Sequence, residues 1–225
     1  MANPAGTIQA HSHKGFTLVE LMIAMAVGGM VLAAVMTAFL SQHETYLAQD
    51  EVVEMQQNAR VAMDSLTRDI RSIGFDPDGL GAGLTTAAIG ADGRASTLRF
   101  TRGDGAGALE RINYALVDAY ASTGGNDGRV DDLGRDINGG GLQPVAENVS
   151  QIEFLHLNGN NIPTNSVGDV RAIQVSLMVE TANPATRSMP RQQVYTTPGG
   201  VQWTSTPGHR SIYLTSTIFC RNLGL

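Results

Sequence analysis

The chain has 225 residues, a length that is enough for one globular domain with an additional segment. Its formal net charge is −6. Its only lysine is Lys14, and the later arginines are scattered, so no basic stripe marks a nucleic-acid-binding surface. The single cysteine, Cys220, excludes a disulfide within the chain, and we expect it to be a small buried hydrophobic residue.

A long apolar segment begins at Phe16 and ends at Leu40. Glu20 is its only ionisable side chain. As a helix, this segment would be roughly 37 Å long, which spans a bilayer core of about 30 Å. The segment is therefore predicted to cross a membrane.

The residues around this segment predict its processing and orientation. The leader, residues 1–15, ends in Lys14 and Gly15 directly before the apolar segment, so cleavage after Gly15 would leave that segment on the mature protein. No basic residue follows until Arg60. The distribution of positive charge then predicts a cytoplasmic N-terminus and a single membrane pass.

Glu20 is a residue that a simple membrane anchor does not need. A carboxylate in hydrocarbon costs at least about 2.5 to 3.5 kcal/mol, so such acids usually have a partner. Cleavage after Gly15 would create an amine at Phe16, one helical turn away. In a staggered stack of helices, that amine can neutralise Glu20 of a neighbouring copy and set the axial register. The alternative is an isolated acid that reaches the headgroups from near the helix end.

Helical periodicity continues beyond the apolar segment. One helix is predicted from about Thr17 to Ser72, ended by Gly74 and the Asp76-Pro77 pair. Gly28 and Gly29 lie in its apolar half, where they favour close helix packing or local melting when the helix enters a filament. The apolar residues of its second half recur at intervals of three and four and form one face: Ala48, Val52, Met55, Ala59, Ala62, Leu66, Ile70 and Ile73.

After Pro77 the pattern changes to short alternating runs, which predict an antiparallel sheet packed on the helix, an α+β fold. We therefore divide the chain into a leader (1–15), an apolar helix half (16–40), an amphipathic helix half (41–76) and a β-rich domain (77–225). The segment Thr181–His209 is predicted to be irregular. The predicted strands are Thr97–Thr101, Ile112–Val117, Val149–Leu157, Ala172–Val179 and Ile212–Cys220.

The segment from Lys14 to Ala24, KGFTLVELMIA, resembles the cleavage and methylation motif of type IV pilins and type II secretion pseudopilins. The resemblance implies a prepilin peptidase that cuts after Gly15, methylation of the new N-terminal Phe16, and an assembly role for Glu20. It also implies a helix followed by a β-rich domain, without enzymatic activity.

Three later segments resemble PilW-type minor pilins: Leu66–Pro77, Leu133–Asp136 with Gln143–Val149, and Arg221–Gly224. The secretion pseudopilin GspJ shares much of this plan. A major pilin more often has a C-terminal cysteine pair, and the secretion tip subunit typically lacks the glutamate.

No catalytic motif is present, and the mature chain would retain three separated histidines, His43, His156 and His209, which we expect to be structural. One acidic, glycine-rich stretch offers oxygen ligands of the kind that calcium prefers. Its spacing is not that of an EF-hand, and a turn between strands is the alternative. The candidate calcium ligands are Asp127, Asp131, Asp132 and Asp136; no other cofactor is expected.

The chain is therefore predicted to be a minor pilin that is stored in the bacterial inner membrane with its C-terminal domain in the periplasm, and then assembled into a pilus. Its expected partners are other pilin subunits, the peptidase and methyltransferase, the inner-membrane assembly platform and lipid, with no nucleic acid. Two alternatives remain: a pseudopilin of type II secretion, and a membrane-tethered pilin that binds a ligand or takes up DNA.

Overall fold

The computed structural model describes residues 15–85, 89–118, 129–185 and 190–224. It divides between Leu47 and Ala48 into two compact units. Helix α1 (Leu18–Ser72) begins in the first unit and ends in the second. Its start and end agree with the predicted helix to within one residue.

In the first unit, the side chains of residues 15–43 are all exposed. The helix is long and apolar enough here to cross a membrane. Apolar side chains without a protein partner are stable only where lipid or other protein surfaces replace water.

In the second unit, α1 buries the predicted face. Met55, Ala59, Ala62 and Leu66 are at most 6% exposed, and Ala48 and Val52 are half-buried. Ile70 and Ile73 complete this face and are fully buried. The amphipathic half of the helix thus packs its apolar face into a hydrophobic core, as predicted.

In the described residues, ten strands form two four-stranded antiparallel sheets and a small hairpin. The first sheet has the order β2-β3-β4-β5, the second β1-β6-β7-β10, and the hairpin pairs β8 with β9. Together with α1, the sheets confirm the α+β fold. The bounds are β1 Arg94–Ala95, β2 Leu98–Gly103, β3 Leu109–Val117, β4 Asp132–Ile137, β5 Gln143–Ala146, β6 Val149–Leu157, β7 Ala172–Glu180, β8 Val194–Thr196, β9 Gln202–Thr204 and β10 Ser211–Phe219.

The five predicted strands correspond to β2, β3, β6, β7 and β10, whereas β1, β4, β5 and the hairpin were not expected. The segment Thr181–His209 is therefore not wholly irregular. Two buried carboxylates hold it against the second sheet. Glu153 accepts hydrogen bonds from Thr197 Oγ1 (3.0 Å) and the amide of Gly199 (3.3 Å), and Glu180 accepts two from Thr206.

The end of the chain contacts the end of α1. Gly74 has a φ of 74°, a left-handed conformation that favours glycine and ends the helix as predicted. Asn222 Nδ2 donates to the carbonyl oxygens of Arg71 and Ile73, both at 3.3 Å. The C-terminal residues thus satisfy carbonyl groups that the helix end leaves without intrahelical partners.

Candidate assembly site

The predicted cleavage and methylation residues lie just before the helix. Gly15, Phe16 and Thr17 precede the helix without regular secondary structure, and the helix begins at Leu18. The Phe16 side chain is 92% exposed. Lys14 lies outside the described residues.

Thr17 and Glu20 form a capping box at the start of α1. Glu20 Oε2 accepts hydrogen bonds from the amide and the hydroxyl of Thr17, both at 2.9 Å. In return, the amide of Glu20 donates to Thr17 Oγ1 at 3.2 Å. This reciprocal pattern satisfies backbone N–H groups that a helix start leaves free, and it places a negative charge at the positive end of the helix dipole.

Glu20 therefore has hydrogen-bond donors in its own chain, in addition to the neighbouring amine that the sequence predicts as its partner. These donors are a neutral N–H and O–H pair rather than a cation, and both hydrogen bonds go to Oε2, so the second carboxylate oxygen can still accept from another group. The signal was present in the sequence, because a Thr followed three residues later by Glu before an apolar run is the capping-box pattern.

Gly28 and Gly29 are helical, and a methyl group added at either would meet no atom within 4 Å. No neighbouring surface within the described structure requires glycine at these positions. Close packing against other subunits, or local melting of the helix, stays a prediction.

A second polar site, which sequence reasoning missed, lies at the other end of α1. Asp69 is 5% exposed, and its Oδ2 accepts hydrogen bonds from Tyr114 (2.8 Å) and from Nε of Arg135 (2.6 Å). Its Oδ1 lies 3.3 Å from Nη1 of Arg102, which also pairs with Glu110. These contacts join α1 to strands β2, β3 and β4.

Burial raises the pKa of the Tyr114 hydroxyl, which therefore stays protonated and can donate to Asp69. The same hydroxyl lies 2.9 Å from Ser65 Oγ, one turn earlier on the helix. Asp69 and Arg135 belong to two of the segments that resemble PilW-type minor pilins. Their contact gives these segments a structural role in fixing the helix on the first sheet.

Two of the four predicted calcium ligands lie on a strand rather than in a turn. Asp132 and Asp136 lie on strand β4, where Asp132 accepts a hydrogen bond from the amide of Asn148 and Asp136 one from Gly141. Asp131 pairs with Arg129 at 3.1 Å, and Asp127 lies outside the described residues. Among the described residues, no three His, Cys, Asp or Glu side chains are grouped to hold a metal ion. Calcium binding by the full stretch stays a prediction.

His156, His209 and Cys220 are buried, as expected of structural residues. His156 Nδ1 lies 2.9 Å from the carbonyl oxygen of Gly93, and His209 Nδ1 lies 2.6 Å from that of Thr181. Burial raises the pKa of the Cys220 thiol to about 12, so it stays protonated at neutral pH and is a poor nucleophile.

The capping box lies within a segment that matches a known family. Residues 10–36 match the family described as the prokaryotic N-terminal methylation motif. The chain carries a prokaryotic N-terminal methylation motif. This confirms the type IV prepilin-like resemblance, and the motif includes Gly15, Phe16 and Glu20 among its residues. The roles of these three residues stay predictions.

The methylation motif covers 27 of the 225 residues, so it describes the N-terminus alone. No curated protein has significant sequence similarity to this chain. Among solved structures, the chain is similar to a type IV-like pilin, TTHA1219 from Thermus thermophilus, at 14% identity and a TM-score of 0.49. That match covers 76% of this chain and 98% of the pilin.

Proposed function

We propose that this chain is a minor pilin of a type IV pilus, cleaved between Gly15 and Phe16 and then taking part in the start of pilus assembly. The observation that carries the proposal is the methylation motif at the start of a long apolar helix whose side chains are exposed over residues 15–43. Proteins with this motif and layout are structural subunits, so no substrate is turned over.

The same features support the proposed location and partners. The apolar helix half holds the subunit in the inner membrane, with its N-terminus in the cytoplasm and its second unit in the periplasm. A prepilin peptidase and methyltransferase act on Gly15 and Phe16, and the assembly platform and other pilins then receive the subunit. A PilW-type minor pilin is proposed because the three later segments of the sequence resemble that type, and two of these segments meet through the contact of Asp69 with Arg135.

Glu20 is proposed to recruit the subunit by pairing with the Phe16 amine of a neighbour. Glu20 also caps its own helix, so alanine would remove both roles together. Glutamine can replace glutamate in a capping box but carries no charge. Comparing Glu20→Gln with Thr17→Ala separates the two roles, because the second variant keeps the charge and loses the capping hydroxyl.

We expect Glu20→Gln to remain in the membrane at normal abundance but to be incorporated into pili at least about tenfold less, since breaking a buried interfacial charge pair costs roughly 2 to 5 kcal/mol. Thr17→Ala is expected to assemble within about twofold of the parent, because losing an N-cap costs about 1 kcal/mol. The measurement is an immunoblot of sheared pili and of membranes from the native bacterium. Normal assembly of Glu20→Gln with failure of Thr17→Ala would show that capping, not pairing, is the role of Glu20.

A further inference from the structure

Strand β10 lies at the edge of the second sheet, and its register shows which backbone groups face outward. The amide of Cys220 donates to the carbonyl oxygen of Arg171, and that of Thr181 donates to Arg210. Antiparallel pairs alternate, so the even-numbered residues between Arg210 and Cys220 bond to β7. The odd-numbered residues point their N–H and C=O groups away from the sheet: Ser211, Tyr213, Thr215, Thr217 and Phe219.

One of these outward groups is occupied. The carbonyl oxygen of Ser211 accepts a hydrogen bond from the Tyr195 hydroxyl at 3.3 Å. From Tyr213 to Phe219, no described residue bonds to the outward backbone groups. Phe219, at the far end, is 62% exposed. The second sheet thus presents a free edge about four outward residues long.

The other edges of the two four-stranded sheets are protected in the usual ways. Strand β1 has two residues, and β5 has four and contains Pro144. The outer side of β2 is bonded to the preceding segment, since Thr85 donates to Arg99 and Thr101 donates to Gly83. Strand β10 has nine residues without a proline, an acid, a base or a bulge. It is the edge most suited to pairing with another chain.

Charge around this edge indicates what pairs with it. Arg210 and Arg221 stand immediately before and two residues after the strand, both exposed, and neither has an acidic partner among the described residues. A second copy paired antiparallel about Thr215 would set Arg210 of one chain opposite Cys220 of the other, one position from Arg221, at both ends. The two arginines would lie on opposite faces of the sheet. Each end of the pair would still gather two positive charges with no acid between them, which disfavours self-pairing.

We infer that the free edge of β10 is a docking site for an extended, uncharged segment with an acidic residue at each end, supplied by a different subunit. The segment would add a fifth strand to the second sheet, with main-chain hydrogen bonds providing affinity and the two arginines providing selectivity. This deepens the proposed function, on which the identity of the partner as a neighbouring pilin-like subunit rests.

The probe is a synthetic eleven-residue peptide of alternating valine and threonine with aspartate at both ends, added to the full chain in detergent micelles. Hydrogen exchange is measured at single amides. At a peptide concentration ten times Kd, the amides of Tyr213, Thr215, Thr217 and Phe219 are expected to exchange about tenfold more slowly. The amides of Leu214 and Ser216, which already bond to β7, should change little.

The matched control peptide has lysine in place of both aspartates. It is expected to bind at least about fivefold more weakly at low salt, and this difference should shrink as salt is added. Equal binding of the two peptides would overturn the role of Arg210 and Arg221. Unchanged exchange at the four outward amides would overturn the docking site itself.

Thr215→Pro removes one outward N–H while leaving the bonds to β7, because prolines are tolerated on edge strands where the N–H faces solvent. It should abolish protection at the neighbouring outward amides, whereas Thr215→Val should bind like the parent. If Thr215→Pro unfolds, Thr217→Pro makes the same test two residues later. A dimer of the parent chain that Thr215→Pro dissolves would instead identify the partner as a second copy and overturn the assignment. None of these measurements requires a pilus, so their failure is distinct from failure of the proposed function.

Discussion

Asp69 is the residue that fixes the second part of α1 to the first sheet. An acid with 5% exposure is costly unless it is paired, and here it receives hydrogen bonds from Tyr114, Arg102 and Arg135. Each of these three partners lies on a different strand. Asp69 thus fixes the position of the helix end against these three strands. Apolar packing alone would fix that position less strictly.

Asp69→Asn should destabilise the chain by about 3 kcal/mol, because removing one partner of a buried ion pair leaves the other charge without compensation. Both arginines keep some solvent contact, which holds the loss at the lower end of the range for buried pairs. Denaturant unfolding of the full chain in detergent measures this loss. Asp64→Asn, at an exposed position of the same helix, is the control and should change stability by less than about 0.5 kcal/mol.

His156 should make stability depend on pH. Burial lowers the pKa of His156 below its ordinary value of about 6.5, so the unfolded chain takes up the proton first as pH falls. The stability that the neutral ring provides is complete above about pH 6.5 and is lost as pH falls toward the lower folded-state pKa, by at most about 1.4 kcal/mol per pH unit.

Unfolding measured between pH 5 and pH 8 should show this decrease, and His156→Gln should flatten it. A pH dependence in the variant that equals the parent's would assign the effect to other groups.

Among the elements, α1 and strands β2, β3, β6, β7 and β10 were predictable because their apolar residues recur at the period of a helix or a strand. Strand β4 was not, since its sequence DLGRDI has charges where alternation would place apolar residues. Arg135 points to the buried side because Asp69 meets it there, and that contact spans 66 residues of sequence. The role of Asp69 could not be predicted either, because its partners are distant in sequence and helical spacing does not indicate them. The hairpin was missed because its strands have three residues each.

The end of α1 depends on the conformation and packing of Gly74. A methyl group at Gly74 would lie 2.8 Å from Leu223 Cδ2 and 3.1 Å from the carbonyl oxygen of Asn222. Gly79 also has a positive φ, of 68°, but a methyl group there would meet nothing. Both alanine variants should lose about 1 to 2 kcal/mol from the left-handed backbone.

Gly74→Ala should lose more than Gly79→Ala, because it must also displace the C-terminal residues. Thermal unfolding of the two variants side by side gives the difference. Equal losses would mean that the C-terminal residues move away without cost.

At the scale of the whole molecule, the distribution of amines reports on processing. The precursor has two amine groups, the initial amine and that of Lys14, and both lie in the leader. After cleavage at Gly15, the amine of Phe16 would be the only one in the chain. An acylating reagent, which also reacts with the secondary amine of a methylated Phe16, should therefore add one label to the mature protein, at residue 16, as read by mass spectrometry of the N-terminal peptide. Two labels, with the leader retained, would show that the chain is not processed.

The capping box also affects a subunit that has not yet assembled. Glu20 already accepts the amide hydrogen of Thr17, which is the residue next to the amine that cleavage would create. In a monomer that has not been assembled, the amide and hydroxyl of Thr17 would thus shield the Glu20 carboxylate from lipid. On joining a filament, Glu20 would exchange the donors of its own Thr17 for the Phe16 amine of a neighbouring subunit. The free energy of assembly from this residue would then be the difference between two hydrogen-bonded states. It would be smaller than the cost of an unpaired carboxylate in the bilayer.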